Sequence, residues 1–124
     1  MKSKKREVIY AKYDGKCAYC GIDINIKKFQ IDHIKPKANG GTDDVDNLNP
    51  ACNECNNYKG AASIEEWRYY LDQLFTKIDR LFKSRTKMQV AVNFGVLHLF
   101  NWDGKFYFEQ TPAGVKEEGK YEIQ

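Results

Sequence analysis

The chain has 124 residues, 42% hydrophobic and 30% charged, which fits one compact domain with a small extension and excludes two large domains. Its mean hydropathy is −0.68, no apolar run approaches the roughly 20 residues of a membrane span, and no apolar stretch of signal-peptide length follows the N-terminus. A formal net charge of +3 is too small to indicate a partner. We therefore expect a cytoplasmic protein with no membrane contact.

The chain begins with a predicted helix and a predicted strand. Residues 5–13 place apolar residues among good helix formers, and Asp14-Gly15 supplies the left-handed residue that commonly ends a helix. Residues 28–34 alternate apolar and polar side chains, which is typical of a strand with one buried face. This strand is expected to end before Pro36.

Two helices are predicted after this strand. Turn-forming residues fill positions 37–49, which predicts a loop, and Pro50 then predicts the first turn of a short helix that Gly60 ends. Ser63 and Glu66 have the spacing of a capping box, and apolar residues at helical spacing follow for about five turns. The second helix is therefore the longest of the chain.

The C-terminal part predicts a small antiparallel sheet and a loose tail. Apolar residues alternate from Met88 to Phe94, and further apolar runs occupy residues 96–100 and 106–108. Turn residues at positions 101–104 separate the last two runs, as in a hairpin.

Basic residues are concentrated in two segments, residues 2–6 and residues 77–87, and Asp79 is the only acidic residue of the second segment. Clusters of this kind neutralise nucleic-acid phosphates and give salt-dependent binding. Solvated helix faces explain each cluster equally well when it is taken alone.

Four cysteines form two C-x2-C pairs, Cys17 with Cys20 and Cys52 with Cys55. In a reducing cytosol such pairs more often bind metal than form disulfides. Paired knuckles bring four thiolates to the corners of a tetrahedron about 2.3 Å from Zn²⁺, and a site with four thiolates has no open position for water. We therefore predict a structural zinc ion, with two disulfides in a secreted protein as the alternative.

Polar residues of a second kind lie between and just after the cysteine pairs. They are Asp32-His33 at the end of the predicted strand, Asn47, Asn56 directly after Cys55, and Lys59-Gly60. The whole string, C-x2-C, D-H-I-x-P, G-G, D-N-L and C-x2-C-N-x2-K-G over residues 17–60, resembles the HNH endonuclease family in its four-cysteine, phage and bacterial form.

The resemblance implies an α+β fold, a zinc-stapled ββα-metal (His-Me finger) nuclease core with flanking helices and the small C-terminal antiparallel sheet. The expected division is a nuclease core with the four-cysteine zinc site at residues 1–62, a helix and sheet extension packed on it at residues 63–112, and a loose tail at residues 113–124.

The resemblance also implies the role of each polar residue. His33 is the general base, Asp32 and Asn56 are the ligands of the catalytic metal, and Asn47 fixes the His33 loop or ring. A neutral imidazole with a pKa of about 6.5 can take a proton from the attacking water. Carboxylate and amide oxygens suit Mg²⁺ or Mn²⁺, although the neighbouring Asn57 offers the same amide.

Lys59 follows Asn56 by three residues and so shares its helix face, which would place an ammonium beside the scissile phosphate. The predicted reaction is hydrolysis of DNA phosphodiester bonds, with 5′-phosphate and 3′-hydroxyl products implied by the resemblance. RNA as the substrate stays open.

Two other functions stay open beside this one. The first is a zinc-ribbon module that binds nucleic acid or protein without cutting it. The second is a nuclease subunit of a phage or bacterial assembly, with the segment from Ser63 onward as the interaction surface. A homodimer is a further possibility, because double-strand cleavage by single active sites requires two of them to meet.

Overall fold

The structure is a computed structural model that describes residues 3–81, 85–95 and 102–110. The described residues divide into two compact units, one drawn from Met1–Ile64 and Lys105–Gln124 and the other from Glu65–Gly104. None of the helices in these ranges combines the length and the hydropathy of a membrane span. The predicted tail lies outside the described residues.

The first unit opens with helix α1 (Ser3–Ala11), which confirms the predicted N-terminal helix. Asp14 and Gly15 follow it with φ values of 54° and 77°, and the N–H of Gly15 donates to the carbonyl of Tyr10 at 3.2 Å. The left-handed turn predicted from Asp-Gly therefore ends the helical segment.

A two-stranded antiparallel sheet follows, made of β1 (Gln30–His33) and β2 (Leu48–Ala51). Its register places Asp32 opposite Asn49 and His33 opposite Leu48. The strand predicted from alternation is confirmed, and the connection contains two short 3-10 turns, Lys37–Asn39 and Val45–Asn47.

The prediction that Pro50 opens a helix is wrong, because Pro50 lies in β2 and helix α2 spans Asn53–Lys59. A proline fits either a helix start or a strand with a free edge. Here its carbonyl accepts a hydrogen bond from the N–H of Ala18 at 2.9 Å. Cys52 is the extended N-cap of α2, so only one cysteine of the second pair lies in the helix.

The core of the first unit joins α1 to the sheet. Ile9, Phe29 and Leu48 form a buried apolar cluster. The guanidinium of Arg6 lies 4.1 Å from the centroid of the Phe29 ring and donates to the carbonyl of Phe29 at 3.1 Å. Part of the N-terminal basic cluster therefore stabilises the fold.

Residues 105–110 belong to the same unit, although the sequence pattern placed them in the extension. The predicted strand here is wrong, because Tyr107–Glu109 is a 3-10 turn. The N–H of Phe106 donates to the Glu109 carboxylate at 2.8 Å, which closes this turn locally. Phe106 is buried and packs on Tyr19.

The second unit contains helices α3 (Ile64–Leu81) and α4 (Arg85–Asn93). The long helix was predicted, and it buries Trp67 and Leu71, which are four residues apart and share a face. The ring centroids of Phe75 and Trp102 are 5.7 Å apart.

The predicted C-terminal sheet is wrong where the structure describes its residues. Its first strand is α4, which contains the good helix formers Lys87, Met88 and Gln89. Gly95, with φ at 76°, follows the helix and donates to the carbonyl of Val92. Residues 96–100 lie outside the described residues.

Candidate active site and metal centre

Four cysteine side chains meet in the first unit. The Sγ atoms of Cys17, Cys20, Cys52 and Cys55 all lie within 4.8 Å of one another, and those of Cys20 and Cys52 are 3.8 Å apart. Thiolates about 2.3 Å from a tetrahedral Zn²⁺ are about 3.8 Å from each other. All four cysteines are free, so the disulfide alternative is wrong. This cysteine cluster can hold a metal ion such as zinc.

Backbone hydrogen bonds to the cysteine sulfurs and repulsion between the four thiolates both favour a bound cation. The N–H of Tyr19 donates to Sγ of Cys17, and the N–H of Cys55 donates to Sγ of Cys52, each at 3.4 Å. Hydrogen bonds with Cys20 and Cys55 lower the pKa of Cys17, whereas the bond with Cys17 raises the pKa of Cys20 to about 12. Four sulfurs this close ionise together only when a cation neutralises them.

A cavity of about 310 Å³ also lies in the first unit. It brings together three of the predicted catalytic residues, and we call it the Asp32 cavity. Its lining consists of Ile31, Asp32, His33, Pro36, Lys37, Ala38, Asn56, Gly60 and Ala61. The side-chain amide of Asn56 forms no hydrogen bond with the described residues, so it is available to a ligand. The carboxylate of Asp32 and this amide are the kind of oxygen donors that a hard divalent ion prefers.

Asp32 is 4% exposed and held from two directions. The Tyr19 hydroxyl donates to Oδ2 at 2.5 Å, and the Lys59 ammonium lies 3.3 Å from Oδ1 and 3.1 Å from Oδ2. Burial raises the pKa of Asp32, and the contacts from Tyr19 and Lys59 oppose that rise. Both partners therefore favour the carboxylate form.

Lys59 is placed differently from the expectation that it contacts phosphate. Its side chain is fully buried, and its ammonium donates to the carbonyl of His33 at 2.9 Å as well as to Asp32. Lys59 is absent from the lining of the Asp32 cavity. In the structure this lysine neutralises a buried carboxylate and ties α2 to β1.

His33 is partly exposed and bonds a residue that the motif does not single out. Its Nε2 lies 2.7 Å from Oδ1 of Asp43, and Lys37 lies 3.4 Å from Oδ2 of the same carboxylate. The bond with His33 and the charge of Lys37 lower the pKa of Asp43. An ionised carboxylate only accepts hydrogen bonds, so Nε2 carries the proton. Nδ1 bonds none of the described residues.

Asn47 organises the loop that follows His33. Its side-chain oxygen accepts from the N–H of Lys35 at 2.9 Å, and its amide donates to the carbonyls of Lys35 at 3.0 Å and Thr42 at 2.8 Å. Gly41 is needed in this tight loop, because a Cβ there would overlap the carbonyl oxygen of Lys35. No described contact joins Asn47 to the imidazole.

Two lysines of the N-terminal segment hold the same loop from α1 and the turn after it. The Lys5 ammonium donates to the carbonyl of Asp43 at 2.6 Å. Lys12 donates to the carbonyls of Val45 at 2.9 Å and Leu48 at 2.6 Å. The position of Asp43 beside His33 therefore depends on contacts from a remote part of the chain.

Sequence reasoning missed Tyr19 and Asp43, and it did not predict that the Lys59 ammonium is buried against Asp32. Tyr19 sits inside a cysteine knuckle, where an aromatic residue is easily interpreted as packing. Asp43 is one of three acids in a polar loop. The sequence offers only the order of these three acids after Gly40-Gly41. That order does not show which of them contacts His33.

The fold and this geometry describe an α+β domain whose cysteine cluster can hold a metal ion, and comparisons with known proteins indicate its family. The family model described as HNH endonuclease matches residues 17–62. Residues 17–62 are therefore similar to HNH endonucleases, which confirms the resemblance drawn from the motifs.

Two curated relatives and one solved structure support the same assignment. The chain is 40% identical over 52 residues to the CRISPR-associated endonuclease Cas9 of Corynebacterium diphtheriae, a match covering 41% of this chain. It is 32% identical over 84 residues, 59% of this chain, to YoqL of Bacillus subtilis, an SPbeta prophage-derived protein described as an HNH endonuclease. The crystal structure of the Type II-C Cas9 enzyme from Actinomyces naeslundii aligns with a TM-score of 0.50 and 29% identity over 54% of this chain.

These matches cover a small part of the other proteins. They span 5% of the Corynebacterium protein, 35% of YoqL and 8% of the Actinomyces chain. The likeness therefore concerns the matched region and not the whole of those proteins.

Proposed function

We propose that this chain is a metal-dependent endonuclease that hydrolyses phosphodiester bonds in DNA. His33 is the general base, and Asp32 and Asn56 hold one divalent ion, Mg²⁺ or Mn²⁺. The observation that carries the proposal is that these three residues line one cavity. The HNH endonuclease match over residues 17–62 supports the reaction class.

His33 acts through Nδ1 in this proposal. Asp43 accepts the proton of Nε2 at 2.7 Å, which leaves the lone pair of a neutral ring on Nδ1. Nδ1 then takes a proton from the water that attacks phosphorus. Asp43 acts as the third group of a triad, which orients the base. Asn47 keeps the loop between His33 and Asp43 in place through its three hydrogen bonds to the backbone.

Asp32 and Asn56 fit a hard divalent ion, since one offers a carboxylate and the other an unengaged amide. An ion bound there supplies positive charge that polarises the phosphate and stabilises the departing 3′ oxygen. The cysteine cluster holds a structural zinc ion, because four thiolates leave no open position for substrate or water.

The phosphate contact that motif spacing predicted for Lys59 is better supplied by Lys37. Lys37 lines the Asp32 cavity, and its side chain is 64% exposed. The buried Lys59 keeps Asp32 ionised and in position instead. A homodimer, a larger phage or bacterial assembly and a cytoplasmic location stay predictions.

The test is cleavage of supercoiled plasmid by zinc-loaded protein in Mg²⁺, Mn²⁺ or EDTA, with folded His33→Ala alongside. We expect nicking or linearisation that requires the divalent ion and is lost in the variant. Equal DNA binding by both proteins, with no cutting by either in any metal, would instead support the non-cleaving module.

A further inference from the structure

Tyr19 lies inside the first cysteine knuckle, two residues after Cys17 and directly before Cys20. It is 4% exposed, and its hydroxyl donates to Oδ2 of Asp32 at 2.5 Å. The side-chain amide of Asn49, which faces Asp32 across the sheet, donates to the Tyr19 oxygen at 3.4 Å. Tyr19, a residue of the first cysteine knuckle, thus contacts the proposed metal ligand Asp32 directly.

The two oxygens of Asp32 are not equally engaged. Among the described residues, Oδ2 receives Tyr19 at 2.5 Å and Lys59 at 3.1 Å, whereas Oδ1 receives Lys59 alone, at 3.3 Å. A carboxylate has about four lone-pair positions, so these contacts fix its orientation without filling it. Oδ1 is the more available oxygen for a cation.

The place of Tyr19 depends on two other parts of the first unit. Its N–H donates to Sγ of Cys17 at 3.4 Å, so ordering of the cysteine cluster sets its backbone. Its ring packs edge-on against Phe106 and Phe108, with centroids 5.5 and 5.8 Å away. Its carbonyl accepts the N–H of Tyr107 at 3.0 Å. The segment at residues 105–110 therefore packs on the knuckle and holds this tyrosine.

Burial alone does not explain the Tyr19–Asp32 contact. A buried tyrosine hydroxyl usually finds a hydrogen-bond partner, but a backbone carbonyl or solvent at the rim satisfies it at lower cost than a buried carboxylate. Tyr13 provides a comparison in the same unit. It is 7% exposed, its ring lies 6.4 Å from Phe108, and its hydroxyl bonds none of the described residues.

We propose that Tyr19 is a positioning residue that couples the cysteine metal site to Asp32. Order in the cysteine cluster places the Tyr19 hydroxyl, and the hydroxyl holds the Asp32 carboxylate ready for a divalent ion. This inference rests on the proposed function, in which Asp32 is a metal ligand.

The test measures binding of Mn²⁺ alone to zinc-loaded protein by electron paramagnetic resonance, with zinc content checked for each sample. We expect Tyr19→Phe to raise the Mn²⁺ dissociation constant by about 10-fold to 100-fold, as is usual for partners of metal ligands. Tyr13→Phe, the matched control, should bind Mn²⁺ like the wild type, and Asp32→Asn should lose the site.

An unchanged dissociation constant in Tyr19→Phe, with Mn²⁺ binding lost in Asp32→Asn, overturns the role of Tyr19 and leaves the proposed function standing. Unchanged binding in Asp32→Asn removes Asp32 as a ligand and overturns both. Equal weakening in both tyrosine variants assigns the effect to packing and overturns the coupling. If Tyr19→Phe fails to load zinc, Phe106→Leu replaces it, and unchanged Mn²⁺ binding in that folded variant overturns the coupling as well.

Discussion

Asp43 and His33 are ten residues apart in sequence, and their side chains meet with Nε2 and Oδ1 separated by 2.7 Å. The loop between them is shaped by Asn47 and Gly41 and anchored by Lys5. A carboxylate on Nε2 selects the ring form whose Nδ1 can act as a base. In the proposed mechanism, the loop that carries Asp43 therefore prepares His33 to accept a proton.

Asp43→Asn should lower the cleavage rate by about 10-fold or more, because an amide no longer fixes the tautomer of His33. Single-turnover cleavage of labelled DNA would measure the rate. Asp46→Asn is the matched control, since Asp46 lies in the same loop, is exposed and forms no hydrogen bond with the described residues. Equal rates for the two variants would show that Asp43 does not orient the base.

Lys59→Ala should lower the free energy of unfolding by about 3 kcal/mol or more, because it leaves the buried Asp32 carboxylate without its cation. Chemical denaturation of zinc-loaded protein would measure the change. Lys16→Ala is the control, because the exposed Lys16–Asp23 pair is screened by solvent and should contribute little to stability. If Lys59→Ala weakened DNA binding and left stability intact, the phosphate contact first predicted for Lys59 would be right.

Lys37→Ala should weaken binding to DNA of any sequence and reduce the slope of log K against log salt by about 1. The lysine is largely exposed at the cavity, so the melting temperature should not change. Fluorescence anisotropy at several salt concentrations would provide the slope. Lys28→Ala, at an exposed position outside the cavity lining, should leave it unchanged, and the same slope in both variants would remove Lys37 from the DNA surface.

Removal of zinc should unfold the first unit, whereas removal of Mg²⁺ or Mn²⁺ should stop only cleavage. Structural zinc contributes on the order of 10 kcal/mol in zinc-finger peptides, which is comparable to the stability of a small domain. Far-UV circular dichroism during titration with a strong chelator would follow the unfolding. Native-like ellipticity in fully zinc-free protein would contradict the structural role of the cysteine cluster.

Local sequence spacing predicted the cysteine cluster, and the resemblance to the HNH family implied a shared site for Asp32, His33 and Asn56. Each prediction used ligand chemistry at short range, namely the C-x2-C knuckles and an amide that directly follows Cys55. Helix α1 and its Asp-Gly end were also predictable from local sequence, because a left-handed residue at a helix end has a local signature.

The features that the sequence did not predict concern residues whose neighbours are distant in sequence or whose local pattern suits two structures. Lys59 faces Asp32 across 27 positions, and no spacing rule distinguishes a buried ammonium from an exposed one. Pro50 fits an edge strand as well as a helix start. The alternation in Met88–Phe94 predicted a strand, but the local helix propensity is compatible with α4.

The most direct test of the central claim compares Asp32→Asn, His33→Ala and Asn56→Ala in plasmid cleavage and in DNA binding at fixed salt. If the three side chains form one catalytic site, each variant should cut at least about 100-fold more slowly. Each should keep a DNA dissociation constant close to that of the wild type. Cleavage at the wild-type rate by folded, zinc-loaded samples of any of the three would contradict the claim that this cavity is the active site.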